Sequence, residues 1–220
     1  MGQMPLFKED PIDVVDVATC EETGPAPALD AVEKGMKDIL IGMGIDLNDP
    51  NFTDTPRRVA KSFAEIFKGL FPEAKKELET QLSVTFPCDY KGMIVISDIH
   101  VWSMCPHHFL PVDYNISIGY IPNGQVLGAS KLPRIATLLA KKPILQEQLT
   151  EDIVNHLQRI ANPLGVIVIV KGQHLCMRMR GIKSETSAMI TSSITGVFKD
   201  EPSAKEEFFT ILNTRKQVEV

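Results

Sequence analysis

Apolar residues recur at helical spacing in Leu29, Val32, Met36, Ile39, Leu40 and Met43, and Gly42 and Gly44 then let the chain turn, which predicts an amphipathic first helix. A second is predicted from Thr55, an N-cap hydroxyl, and Pro56 at the first helical position, with Val59, Phe63, Ile66 and Phe67 carrying the stripe to Gly69. From Gly92 to Ile121 the pattern becomes that of strands, over Met93–Ile96, Val101–Met104 and Tyr114–Tyr120, and Ile121-Pro122-Asn123-Gly124 reads as a turn. Two helices follow. Ser130 caps the first, with Leu132, Ile135, Leu138 and Leu139 inward before Pro143, while Leu145, Leu149, Ile153, Leu157 and Ile160 form the stripe of the second, which Asn162-Pro163 ends. Leu164–Val170 reads as a strand that runs on through His174 to Arg180. Val197 and Phe198 suggest a last strand, and Ala204–Leu212 a closing helix.

Composition changes this picture little. Its 220 residues suit one substantial domain with a core that needs no disulfides. A formal charge of -5 argues against nucleic-acid binding, though it permits a local basic pocket. No leader pattern and no apolar run of about 20 residues is present, so the expectation is a cytoplasmic protein with no membrane span. Residues 1–27 depart from the rest, because Glu9, Asp10, Asp13, Asp16, Glu21 and Glu22 face only Lys8 before Gly24-Pro25-Ala26-Pro27. That segment is expected to be a disordered acidic arm, either a plain solvated tail or a partner-binding one. The domain is expected over residues 28–213, helical to 85 and sheet-bearing from 86, with a tail over 214–220.

The cysteines and histidines are not spread evenly. Three of the five histidines and two of the four cysteines fall in Cys105-Pro106-His107-His108 and His174-Leu175-Cys176. The Cys-x-x-His spacing of Cys105 and His108 lets one turn offer a thiolate and an imidazole to one ion, and Cys176 would make a Cys2His set with one tetrahedral corner open. The alternative is that both cysteines are buried apolar thiols. Cys20 and Cys88 lack neighbouring histidines and are assigned no chemistry. In a continuing strand, His174, Cys176, Arg178 and Arg180 would share one face, as a metal-bearing surface or simply a solvated one. Arg57, Arg58 and Lys61 sit early in a helix, where the dipole disfavours cations, so they form a solvated face or meet an anion. There is no P-loop and no dinucleotide fingerprint. Ser130 and Lys131 at a helix start, with Arg134 one turn on, are a plausible phosphate cradle or an ordinary cap with solvated cations.

Jointly, Ser103-Met104-Cys105-Pro106-His107-His108-Phe109, Gly119-Tyr120-Ile121-Pro122, Leu127-Gly128-Ala129-Ser130-Lys131-Leu132-Pro133-Arg134-Ile135, Leu145-Gln146-Glu147-Gln148-Leu149-Thr150 and His174-Leu175-Cys176-Met177-Arg178-Met179-Arg180-Gly181 closely resemble GTP cyclohydrolase I. Thr55-Pro56-Arg57-Arg58-Val59-Ala60-Lys61 and Thr195-Gly196-Val197-Phe198 match it too, and the resemblance covers residues 28–213. It implies an α+β tunnelling fold, an antiparallel sheet with two helices on one face, N-terminal helices, and subunits closing their sheets into a β-barrel ring. Two five-membered rings would stack as a homodecamer with active sites between subunits. The resemblance also implies Zn2+ on Cys105, His108 and Cys176. GTP would be recognised by Gln146 and Glu147 at guanine, by Ser130, Lys131, Arg134 and Arg180 around the ribose and triphosphate, and by Arg58 and Lys61 at the triphosphate.

The implied reaction adds water at C8 of guanine with His174 as the acid at N7, releases C8 as formate, and then rearranges the ribose with His107 and Ser130 as proton carriers. The product would be 7,8-dihydroneopterin triphosphate, the first step of pterin and folate biosynthesis. One position departs from the pattern: Pro106 stands where glutamate is more common, which removes a carboxylate and stiffens the turn. The nearest rival is another tunnelling-fold enzyme acting on a pterin or deazapurine, and a more distant one is a noncatalytic zinc-stabilised binding module, which would need a fourth protein ligand.

Overall fold

The long strands of the sheet are set by alternation. Along β3 (Pro111–Ile121), Val112, Tyr114, Ile116, Ile118 and Tyr120 are buried while Asp113, Asn115 and Ser117 turn to the other face. A computed structural model describes residues 27–80 and 82–215. The acidic arm, but for Pro27, lies outside the described residues, as do the last five positions. In order, the elements are α1 (Leu29–Gly42), α2 (Thr55–Ile66), α3 (Pro72–Glu79), β1 (Thr85–Pro87), β2 (Ile94–Met104), β3, β4 (Gln125–Leu127), α4 (Lys131–Ala140), α5 (Gln146–Ala161), β5 (Gly165–His174), α6 (Leu175–Arg178), β6 (Met189–Ile194), α7 (Val197–Asp200) and α8 (Pro202–Arg215).

The main sheet is antiparallel in the order β2-β3-β5-β6, and β1 pairs with β4 in a small second sheet. Helices α4 and α5 cover one face. Leu132, Ile135, Leu149, Ile153 and Leu157 interlock there with the inward residues of β3 and β5 in the larger core. The mixed helix and antiparallel-sheet class is therefore as expected. Helix α8 covers part of the opposite face, through a second cluster of Met93, Ile167, Phe198 and Phe208. Gly119 permits that approach, because a Cβ there would lie 2.6 Å from the Phe208 ring.

Several local expectations are corrected. Val101–Met104 and, from Ile94, the expected Met93–Ile96 segment belong to one strand, β2, broken only by a register shift between Ile96 and Ile99, where Asp98 takes a φ of 55°. The strand expected to run to Arg180 stops at His174. Its ladder ends at the pair Val112 with His174, since β3 begins at Pro111, and beyond that point the backbone bonds to itself in the single turn α6. Val197 and Phe198 start a short helix, not a strand, because Gly196 turns the chain and Phe198 is buried against Phe208. Neither Thr55 nor Ser130 caps by its side chain: Asp54 holds the N-cap position of α2, and Ser130, in helical backbone, makes no cap bond. In α1 only Leu40 of the expected apolar stripe is buried, and Ile39 and Met43 are exposed in the single chain.

Candidate active site

The β2–β3 hairpin loop supplies the first ligand pair. Cys105 donates its backbone N-H to Leu110 O and its carbonyl accepts from Phe109 N, so residues 105–110 close on themselves. Pro106 stands second in this turn, where a φ near -65° suits the geometry, and Phe109 reverses the chain at φ 54°. The Phe109 ring is anchored against Phe63 and Phe67, which ties the loop to helix α2. Cys105 is buried and both histidines are exposed.

Helix α6 brings the third donor. Because the chain coils after His174, Cys176 turns inward and is buried, and one ligand atom from each of Cys105, His108 and Cys176 lies within 4.8 Å of the others. The donor set fits a tetrahedral ion. Bonds of about 2.0–2.3 Å would place ligand atoms about 3.5–3.8 Å apart, and Cys105 Sγ to His108 Nδ1 is already 3.9 Å. His107 Nδ1 is equally near Cys105 Sγ, at 3.9 Å, yet His107 is outside the three-donor group. Burial pushes the Cys176 thiol up, Cys105 adds to the effect and Arg180 opposes it. The Cys176 thiol must therefore give up its proton to an ion, which would make binding of that ion pH-dependent.

His174, the last residue of β5, stands beside this group. Its Nε2 meets Gln146 Oε1 at 3.1 Å, and its ring meets Tyr114 edge-on with centroids 6.0 Å apart. Burial lowers its pKa, Glu147 raises it and His107 lowers it, so all three belong to one neighbourhood. Glu147 is exposed in the first turn of α5, where the helix dipole favours a carboxylate. Gln146 differs: it is 1 % exposed and its amide is bonded within the protein.

Apart from Arg180, which acts electrostatically on Cys176, the expected phosphate residues lie elsewhere in the chain. Lys131 donates to Val84 O and sits over the Phe86 ring, while Arg134 pairs with Glu77 at 3.1 Å. Both are on α4, which runs about 15 Å before Pro143 meets Met104 at the end of the sheet that carries Cys105. Ser130 is exposed at the start of that helix. Arg58 and Lys61 are exposed on α2, and Arg58 and Arg57 each approach Asp54 at 3.6 Å. One chain thus gathers Cys105, His107, His108, Cys176, His174, Gln146, Glu147 and Arg180 about one end of the sheet, and holds Ser130, Lys131 and Arg134 at the other end of α4.

The sequence profile of GTP cyclohydrolase I matches residues 32–213. The chain belongs to the GTP cyclohydrolase I family. It is 37% identical over 186 residues to GTP cyclohydrolase 1 of Thermoanaerobacter pseudethanolicus, covering 84% of this chain and 97% of that protein. GTP cyclohydrolase 1 of Desulforamulus reducens is 38% identical over 185 residues, with the same coverage of 84% and 97%. Among solved structures, the archaeosine synthase QueF-Like in the apo form aligns at a TM-score of 0.39 with 20% identity, over 49% of this chain and 97% of its own.

Sequence reasoning gave Tyr114 no place beyond its strand. Its hydroxyl is fully buried without a hydrogen-bond partner among the described residues, and burial raises its pKa well above the phenol range, with Cys105, Glu147 and Cys176 adding to the shift. A partnerless buried hydroxyl costs about 1–3 kcal/mol. Tyr114→Phe in the ligand-free protein should therefore match or exceed the parent in denaturant midpoint. A loss above about 1 kcal/mol would show that the hydroxyl is bonded in the fold.

Proposed function

We propose that this member of the GTP cyclohydrolase I family hydrolyses the imidazole ring of GTP, releases C8 as formate and forms 7,8-dihydroneopterin triphosphate, with Zn2+ held by Cys105, His108 and Cys176. The observation that carries this reading is the open Cys2His group with His174 and Glu147 at its side, in a chain of this family. When bound, the ion supplies a water acidic enough to act as nucleophile near neutral pH. Pro106 leaves that donor set untouched. It stiffens the turn and removes a carboxylate from its rim.

The chain's own groups do the rest. The Glu147 carboxylate accepts from guanine N1-H and the 2-amino group, which orients the base. His174 gives a proton at N7, which makes C8 electrophilic as water adds there. His107 and Ser130 carry protons in the later opening and rearrangement of the ribose. Arg180, which acts electrostatically on Cys176, meets the triphosphate, joined by Lys131, Arg134, Arg58 and Lys61.

The length of α4 between Ser130 and the metal end supports a site completed by a neighbouring subunit. Strands β2 and β6 are the edges of the main sheet and are available for pairing between subunits, which supports a barrel ring and the decamer that the family resemblance implies. The catalytic unit is then residues 28–213 in a cytoplasmic, zinc-loaded homo-oligomer. No helix among the described residues is long and apolar enough to cross a membrane.

Base choice tests the reading. Two hydrogen bonds to a carboxylate contribute about 1.5–3 kcal/mol each, and adenine offers neither donor. Zinc-loaded protein should form a dihydropterin, seen by its absorbance, from GTP and none from ATP. Glu147→Ala should lose about 100-fold or more in kcat/KM while keeping its metal. Equal turnover of ATP, or a fully active Glu147→Ala, would remove Glu147 from base recognition.

A further inference from the structure

Gln146 is placed where an amide can govern a histidine. Its Nε2 faces Val170 O at 2.9 Å, Met189 O at 3.1 Å and Thr191 Oγ1 at 3.2 Å. Backbone carbonyls only accept, so the NH2 group must point to them and Oε1 must point the other way. There Oε1 meets His174 Nε2 at 3.1 Å. An amide oxygen also only accepts, so His174 Nε2 must carry a hydrogen. The neutral ring is thereby fixed as the Nε2-H tautomer, with Nδ1 bearing the lone pair.

The amide itself cannot turn easily. Thr191 Oγ1 lies 2.6 Å from Thr150 Oγ1, and Thr150 Oγ1 donates to Gln146 O at 2.7 Å, so the first turn of α5 is bound to β6 through Thr150 as well as through the glutamine amide itself. Gly172 leaves the space the amide occupies: a Cβ there would lie 2.2 Å from Gln146 Oε1 and 2.7 Å from the Tyr114 ring. The same Tyr114 ring stands edge-on to His174. His174 is held by a hydrogen bond at one nitrogen and by an aromatic edge across its ring.

We infer that Gln146 is a positioning residue that acts on the reaction through His174, holding Nε2-H so that Nδ1 is the nitrogen presented to the substrate, an inference that rests on the reading of His174 as the proton donor to GTP. The amide is then unavailable to read guanine, and base recognition on α5 falls to Glu147. In the cationic ring the proton available to N7 is the one on Nδ1. After it leaves, the electron pair stays on Nδ1 and the ring returns to the tautomer that Gln146 stabilises.

The test compares Gln146→Leu, His174→Ala and the double variant with the parent, all zinc-loaded, in single-turnover formate release from GTP and in GTP affinity. Gln146→Leu should slow the chemical step by about tenfold or more and leave the GTP Kd within about threefold. In the His174→Ala background it should cost nothing further, because the group it acts through is gone. Equal losses in both backgrounds would make the role structural, and a tenfold weaker Kd with an unchanged rate would return the amide to base recognition; either result overturns the inference. Nitrogen-15 spectra of histidine-labelled parent protein at a pH where His174 is neutral, with the signal assigned by its absence in His174→Ala, need no Gln146 variant. Protonated Nε2 is expected, and protonated Nδ1 would overturn the assignment. A parent protein that neither binds nor opens GTP would end the reading of the reaction, while the spectra would still decide the orientation of the ring.

Discussion

Cys176→Ala should fall from about one zinc per chain to almost none after dialysis, and should lose turnover with it. Removing one of three protein donors leaves two, and a tetrahedral site so reduced cannot compete with chelators for the ion. Cys105→Ala and His108→Ala should behave alike, because the three ligand atoms form one group within 4.8 Å. His107→Ala is the informative companion. His107 Nδ1 is as close to Cys105 Sγ as His108 Nδ1 is, at 3.9 Å in each case, but only His108 belongs with Cys176. It should keep its zinc. Metal analysis of the four purified variants, with circular dichroism to confirm the fold, decides the matter, and full zinc retention in Cys176→Ala would remove that residue from the site.

The second large effect is expected at His174. His174→Ala should retain zinc, since its Nε2 faces Gln146 and it is not part of the three-donor group. Turnover of GTP should nevertheless fall by about 100-fold to 10,000-fold, the range for loss of a general acid. GTP affinity should change far less, because the proton is needed in the transition state and not for binding. A parent-like rate in a zinc-loaded His174→Ala would show that N7 is protonated by another group.

Much of the fold was legible where one periodicity ruled a whole element. The stripe from Leu145 to Ile160 gave α5 nearly to the residue, and Asn162, at φ 40°, ends it as Asn162-Pro163 suggested. The grouping of Cys105 with His108 was legible for a similar reason, because the two are close in sequence and one turn fixes their separation. Elements decided by distant partners were not. The alternation through His174, Cys176 and Arg178 is real in sequence, but β3 begins at Pro111, and without a partner strand the chain coils into α6. That coil still delivers Cys176 to the site. Helix α3, Pro-Glu-Ala-Lys-Lys-Glu-Leu-Glu, has too few apolar residues to show a stripe, and it buries only Ala74. Residue type alone could not tell that Glu147 is exposed beside the site while Gln146, one position earlier, is closed inside it. The helix turn of about 100° per residue separates them.

In the proposed reaction the Cys105, His108 and Cys176 group serves hydrolysis of guanine at C8. The most direct measurement follows GTP carrying a carbon label at C8, incubated with the purified zinc-loaded protein and, in parallel, with Cys176→Ala. The parent should release the label as formate, one for each dihydropterin formed, and Cys176→Ala should release none. Label retained in the nucleotide by a parent protein that binds GTP and holds zinc would contradict the account.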